Sequence, residues 1–368
     1  MLGWPRSRVV GERRRPATNP GEHLFAEPLH HGSQLQRLPL VTLYLTERCN
    51  SRCVTCDYWR HGRADTNLES VTRLLPNLLE LQTQMVLLSG GEPLLNAEWA
   101  DIAQLLKDND LQLWLLTSGL SLLKHAPRVA ELFDAVTVSL DGTNRETYAA
   151  IRGLDAFDKV CAGVRAAAAS AVPVSLRVTI QQANYRQLPK FVELAHELGV
   201  QQISFLAVDV ANPHAFGRVD DFTKNLALRP EDLTELERIL SDLERAHADD
   251  FQSGFIVESP RKLRRIHSYF AAVCGLGPYP PVRCNAPEFS AVINARRAVS
   301  PCFFIPGPPE AVWQGDLGSV LNGDSMIALR ESIRSGGRPE CATCVCSLWR
   351  ESGSRTVTDF LSPRQANV

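Results

Sequence analysis

The stretch LVTLYLTERCNSRCVTCDYW, residues 40–59, decides how this chain is read. Its first part, Leu40–Leu45, is an apolar run with β-branched and aromatic residues, the pattern of a buried strand. A polar loop follows, with Cys49, Cys53 and Cys56 spaced C-x3-C-x2-C. Three thiolates on so short a loop can hold three corners of a cuboidal iron–sulfur cluster, for which thiolate is the selected ligand. The fourth iron is then open to bind something else. A structural zinc site closes with four ligands, usually as two C-x2-4-C pairs or one pair with two His. Here the next cysteine is Cys161, and His61 has no second His at metal-ligand spacing. Zinc is therefore the weaker reading of this loop. Three unrelated core cysteines are weaker still, because Asn50, Ser51 and Arg52 make the segment polar.

Outward from this loop, strand and helix patterns alternate. Strands are predicted at Met85–Leu88, Gln112–Leu116, Ala135–Ser139, Val174–Ile180 and Gln202–Ala207. Helices are predicted at Leu68–Leu81, Ala97–Asp108, Ser121–Phe133, Asp155–Ser170, Tyr185–Leu198 and Pro230–Ala246. Such alternation implies an α/β fold with a parallel sheet and right-handed crossovers. Six units fit a partial (β/α)6 TIM-type barrel, in which chemistry sits at the C-terminal ends of the strands.

Polar motifs fall at those ends. The second strand runs into Ser89-Gly90-Gly91-Glu92-Pro93. The glycines let the backbone approach a ligand closely, and Glu92 with nearby carbonyls can accept from an ammonium. Read alone, it is an ordinary glycine turn. The fourth strand ends in Ser139-Leu140-Asp141-Gly142, followed by Ile151-Arg152-Gly153. A hydroxyl and a guanidinium suit a carboxylate; a capping Ser and a surface Arg are the plain alternative. Arg177 and Thr179, with Asn184 beyond, line a ligand or pack the core equally well.

The cysteine spacing, its place after the first strand and the order of these motifs resemble the radical S-adenosylmethionine (SAM) superfamily over most of the chain. The resemblance implies a 4Fe–4S cluster on Cys49, Cys53 and Cys56. It implies that SAM chelates the open iron, with Gly90, Gly91, Glu92 and Pro93 at its amino group and Ser139 and Arg152 at its carboxylate. Reductive cleavage of SAM to a 5′-deoxyadenosyl radical and abstraction of a substrate hydrogen atom would follow. One departure stands out. Many members of the family have an aromatic before the third cysteine, where this chain has Thr55; Tyr58 or Trp59 would have to replace its adenine contact.

Half of the ten cysteines lie beyond residue 283: Cys284, Cys302, Cys341, Cys344 and Cys346. The set resembles the twitch domain, the shorter relative of the SPASM extension, in the form found in radical SAM alcohol dehydrogenases. It implies a second, auxiliary 4Fe–4S cluster on Cys284, Cys302, Cys341 and Cys344, with Cys346 as a substitute for Cys344. Arg350 stands where a further SPASM cysteine would fall, and Arg297 where the family usually has Gly. Zinc fits the same four thiolates loosely. Cys161 reads as a buried small hydrophobe. Cys274 reads as structural, with hydrogen-atom donation as the functional alternative.

These readings divide the chain into a disordered basic tail (1–37), a radical SAM barrel (38–250), a helical linker and hinge (251–283) and a small cysteine-rich auxiliary domain (284–368). The length, 368 residues, suits about two domains. The composition is 44% hydrophobic and 22% charged, ordinary for a globular protein. A net charge of −2 argues against a nucleic-acid partner, and no apolar run is long enough to span a membrane. Residues 1–20 carry Arg6, Arg8, Arg13, Arg14 and Arg15 without an apolar signal core. Thiols at ligand spacing in such a chain point to the reducing cytoplasm.

The resulting expectation is an oxidoreductase-type enzyme, served by a flavodoxin- or ferredoxin-type electron donor. It would oxidise or epimerise a small molecule such as a sugar. Maturation of a ribosomal peptide is the alternative; about forty residues before the first strand are too few for a leader-binding domain on usual size limits. A zinc-stabilised binding protein is the non-enzymatic reading, and it leaves the strand-end motifs unexplained.

Overall fold

The computed structural model describes residues 30–31, 33–218, 225–346 and 348–350. Most of the expected basic tail lies outside them. The last residues of that tail form a short antiparallel ladder, β1 (His30–His31) with β2 (Gln34–Leu35). Leu35 is buried and its backbone N–H donates to the Asn322 side chain at 2.8 Å.

The barrel strands are β3 (Leu40–Thr46), β4 (Met85–Gly90), β5 (Gln112–Thr117), β6 (Ala135–Ser139), β7 (Val174–Ile180) and β8 (Gln202–Ala207). Each pairs in parallel with the next. Helices α1 (Tyr58–His61), α2 (Leu68–Glu80), α3 (Trp99–Lys107), α4 (Leu122–Leu132), α5 (Arg145–Arg152), α6 (Phe157–Ala168) and α7 (Leu188–Leu198) connect them. The sheet does not close on itself: β3 and β8 stay apart, so this is the partial barrel that the sequence predicts.

Local chemistry sets the boundaries. Asn67 caps α2 by accepting from the N–H of Ser70 at 2.9 Å. Val71, Leu74, Leu75 and Leu78 then fall on one buried face, each Leu contributing about 1.5–3 kcal/mol by burial. Asn144 caps α5 in the same way, on the N–H of Thr147. Gly153, at φ +74°, ends that helix in the left-handed region. The β7 sequence VSLRVTI alternates buried and half-buried residues, so Leu176 and Val178 face the helices while Arg177 and Thr179 lie on the other side.

The C-terminal part continues both edges of the sheet. After α8 (Leu233–Ala246) and α9 (Ala248–Ser253), Ile256 bridges in parallel to Ile203 of β8. Glu258 accepts from the Ser204 hydroxyl at 2.7 Å and the Phe205 N–H at 2.8 Å. The segment read as a linker thus packs on the barrel, through α10 (Pro260–Val273) as well. At the other edge β9 (Ser290–Ile293) pairs in parallel with β3, and β10 (Val299–Ser300) pairs antiparallel with β9. Arg297, in the turn between them, has φ +68°, a region that favours glycine. Helices α11 (Leu317–Leu321), α12 (Asp324–Arg334) and α13 (Pro339–Ala342) complete the chain.

Val41, Val86, Leu88 and Leu113 join the main core between sheet and helices. On the opposite face of the same strands, Leu40, Met85 and Leu87 pack with Ala286 and Phe289, and Cys284 lies against them. The C-terminal segment therefore plugs the inside of the barrel. Among the described residues, no helix is long and apolar enough to cross a membrane.

Candidate metal centre and cofactor site

The loop after β3 is held from several sides by backbone bonds. Glu47 N–H donates to Ala64 O at 2.9 Å, Arg52 N–H to Arg152 O at 3.0 Å, Val54 N–H to Ile151 O at 2.9 Å and Asp57 N–H to Phe216 O at 3.0 Å. Cys49, Cys53 and Cys56 are thereby fixed as a half-buried trio of free thiols. Burial pushes the Cys49 thiol up to about 11 and the Cys56 thiol up to about 12, and raises Cys53 as well. Metal binding must displace those protons, which links ligation to pH.

Gly90 and Gly91 have a reason that the sequence did not reveal. A Cβ on Gly91 would sit 2.2 Å from Arg48 O, and one on Gly90 2.5 Å from Thr46 O. Gly91 N–H donates to Thr46 O, and Glu92 N–H to Arg48 O, both at 2.8 Å. The glycines let the end of β4 lie against the cysteine loop's own backbone. Glu92 is held in place by the end of β5. Its fully buried carboxylate already accepts from the Thr117 hydroxyl (2.8 Å), Ser118 N–H (2.7 Å) and Leu94 N–H (3.2 Å). Pro93 opens the 3-10 turn that follows.

Arg152 reaches the loop from the end of α5. One terminal nitrogen donates to Cys53 Sγ at 3.4 Å and lies 3.2 Å from Asp141 Oδ2; the other donates to Ser139 O at 2.9 Å. Asp141 is itself fixed by the Thr179 N–H at 2.7 Å, and Asn184 donates to the Asp141 carbonyl. The sequence gives no sign of a role for Asp141; it shows once α5 folds Arg152 back over the strand end. Ser51 Oγ and Arg152 Nε are buried with no hydrogen-bond partner of ordinary geometry among the described residues, and the Tyr148 hydroxyl lies within reach of the Arg152 guanidinium. Such atoms around one thiol loop fit a polar ligand bound there.

Tyr58 and Trp59 are both engaged. The Tyr58 ring meets Tyr44 edge-on at 5.7 Å. Trp59 packs between Arg52 and Arg60, and its indole N–H donates to Cys56 O at 2.9 Å.

The second cysteine set sits close by. Cys302 and Cys346 lie within electrostatic range of Cys284, as does Cys341, and Cys344 is near Cys302 and Cys346. Burial pushes Cys302 up to about 12 and raises Cys341, Cys344 and Cys346. The Cys344 thiol donates to Cys346 O at 3.1 Å. Arg177 and Lys262 draw Cys346 the other way. Among the described residues, no three His, Cys, Asp or Glu side chains converge as ligands of a single ion. A cubane does not require that, since each thiolate holds its own iron.

The loop after β8 joins the two sets. Phe216 O accepts from Asp57 beside Cys56, while Asn212 Nδ2 donates to Phe304 O at 2.7 Å, two residues from Cys302. Tyr44 lies within electrostatic range of both Cys56 and Cys302.

Residues 43–195 match the model of the Radical SAM superfamily. The matched residues form a radical SAM domain. The family implies a 4Fe–4S cluster and SAM, and the C-terminal cysteines are consistent with an auxiliary cluster. In sequence the chain is 30% identical over 211 residues to a probable GTP 3′,8-cyclase of Saccharolobus solfataricus, covering 55% of this chain and 65% of that one. It is 31% identical over 223 residues to the pre-heme d1 synthase of Dinoroseobacter shibae, covering 59% and 55%. The chain thus spans less than two thirds of either relative. Among solved structures, Streptococcus suis SuiB bound to S-adenosylmethionine superposes with a TM-score of 0.60 at 13% identity, covering 86% of this chain and 74% of that one. The enzyme anSMEcpe with bound AdoMet and a peptide superposes with a TM-score of 0.59 at 18% identity, covering 89% and 96%. These structures share the radical SAM fold.

Cys161 is buried in α6, as the sequence implied. Cys274 ends α10, where its thiol donates to Leu228 O at 3.4 Å, beside Glu231 and Asp232.

Proposed function

We propose that this protein is a radical SAM enzyme acting on a small molecule. Cys49, Cys53 and Cys56 would hold the SAM-binding 4Fe–4S cluster, and Cys284, Cys302, Cys341 and Cys344, with Cys346 as alternative, an auxiliary one. The observation that carries the reading is the thiol trio with Arg152 against Cys53 and unsatisfied polar atoms around it. Cluster and SAM together supply one-electron chemistry that ends in hydrogen-atom abstraction.

The chain's own residues bind and orient. Arg152 has donors left after Asp141, Ser139 and Cys53 are served, Nε among them, and offers these to the SAM carboxylate. Gly90 and Gly91 bring the end of β4 against the loop, where backbone carbonyls would accept from the amino group of SAM. Glu92 ties that end to Thr117 and Ser118. Phe289 and Ala286 close the barrel interior against water. A flavodoxin- or ferredoxin-type donor would supply the electron.

A small-molecule substrate is favoured because the sequence relatives include a probable GTP cyclase and a synthase. The peptide-bound neighbours are similar in fold alone. Net oxidation by way of the second cluster is our preferred outcome, with epimerisation as the competing one. Anaerobic reconstitution tests the core of this reading. About eight irons per chain are expected, on the arithmetic of two cubanes. Changing Cys49, Cys53 and Cys56 together to Ala should halve the iron and abolish SAM cleavage. Retained cleavage would sink the assignment.

A further inference from the structure

At the ends of β7 and β8, two side chains are buried with polar atoms that find no partner among the described residues. Gln181 follows the last residue of β7 and is 1% exposed. Neither its Oε1 nor its Nε2 has a partner among the described residues, so exchanging the two amide atoms changes nothing. Asp209, just beyond β8, is also 1% exposed. Its Oδ1 accepts from the N–H groups of Ala211 (3.0 Å) and Asn212 (2.9 Å). Among the described residues its Oδ2 has no partner, and neither has Nε of Arg218, whose guanidinium lies 3.8 Å from Oδ1.

The register sets the ends of the two strands side by side. Ile180 pairs with Ala207, and Val208 N–H donates to Ile180 O at 2.8 Å. Gln181 also continues the alternation that puts Arg177 and Thr179 on the inner side of β7. Asp209 lies within electrostatic range of Cys344, so the site borders the second cysteine set.

Buried polar groups are nearly always hydrogen-bonded, and an apolar residue would fill either position at less cost. Here they call for a partner from outside the chain. Asp209 Oδ2 and Gln181 Oε1 need donors, and Gln181 Nε2 needs an acceptor. The Asp209 charge is matched by Arg218, so this pair itself calls for no net-charged ligand. A hydroxyl is an uncharged group that both donates and accepts, as these atoms require.

We propose that Gln181 and Asp209 bind the hydroxyl groups of a neutral, polyhydroxylated substrate. This deepens the small-molecule reading above and rests on it. The ribose of SAM carries the same chemistry, and the test separates the two sources.

All measurements use the full chain after anaerobic reconstitution. Gln181→Met keeps the volume and removes both polar atoms, so Tm should rise by roughly 2 °C or more. A lower Tm would mean that the protein itself satisfies the amide, and would overturn the proposal. Saturation-transfer NMR then uses myo-inositol and D-glucose as neutral probes and succinate as an anionic one. Wild type should respond to the polyols above succinate, and both Gln181→Met and Asp209→Asn should lose that response. SAM affinity of the two variants should stay within about threefold of wild type. No polyol response in wild type, an equal response in the variants, a stronger response to succinate, or a tenfold loss of SAM affinity each overturns it. SAM cleavage by the wild-type protein is measured separately, and its absence would sink the enzyme reading instead.

Discussion

Arg296, in the turn between β9 and β10, grips Glu47 two residues before Cys49. Its Nε donates to one carboxylate oxygen and a terminal nitrogen to the other, the latter at 3.0 Å. The turn from the C-terminal part thus clasps the start of the first cysteine loop. Burial pushes Glu47 up, but Arg296 and the Ala64 N–H outweigh it and hold the carboxyl below its ordinary value. A lowered carboxylate adds stability above its unfolded pKa and loses it as pH falls through the folded one. Glu47→Gln should therefore be less stable than wild type at pH 7. The gap should shrink as pH falls below about 4, as followed by chemical denaturation across pH. A gap that does not narrow in acid would show that the ion pair is idle.

Arg152→Lys should bind SAM about tenfold more weakly or worse. Lysine cannot serve Cys53, Asp141, Ser139 and a carboxylate together, and a lost hydrogen bond to a charged group is worth about 1.5–3 kcal/mol. Equilibrium binding by the reconstituted protein checks this. Unchanged affinity in Arg152→Ala would move the carboxylate site elsewhere.

Cys341→Ala with Cys344→Ala should lower the iron by about half and spare SAM cleavage, because the first loop is untouched. Product formation should stop. Iron counting, and spectra of the remaining cluster, guard against simple unfolding, since a metal site also contributes folding energy. Cys346→Ala, measured alongside, decides whether that thiol or Cys344 is the fourth ligand. Zinc at this site would exclude an electron-acceptor role, because zinc has no redox chemistry.

Gly91→Ala should destabilise the protein by about 1–3 kcal/mol, the usual cost of overpacking. The methyl would meet the Arg48 carbonyl, which is backbone and cannot swing away. Lower iron incorporation at the first loop should accompany the loss. A variant as stable and as readily loaded as wild type would contradict this packing role.

The barrel was legible because its signals are local. The strands at Ala135–Ser139, Val174–Ile180 and Gln202–Ala207 lie where their apolar runs put them. What escaped was set at long range. Helix α5 is short and rich in charge (RETYAAIR), and only its Asn144 cap and Gly153 stop mark it. Yet it aims Arg152 at Cys53. Strand β9 is only four residues long and gains its place by pairing with β3. The glycines at 90 and 91 were read as room for a ligand, and their close approach to the backbone at Thr46 and Arg48 could not be seen in the sequence. The thiol loop needed no tertiary information, because its three ligands share one short segment.

Because β9 is the outer neighbour of β3, one side of that strand has no partner until residues 290–293 have been synthesised. A nascent chain emerging in order completes six parallel strands while this edge still offers free N–H and C=O groups. Such an edge can recruit strands from other chains, and parallel pairing across so long a sequence separation forms slowly. The first thiol loop follows directly from that unprotected strand. Vectorial synthesis therefore makes the last part of the chain a custodian of the first, and truncation before residue 290 should give aggregates rather than a smaller working barrel.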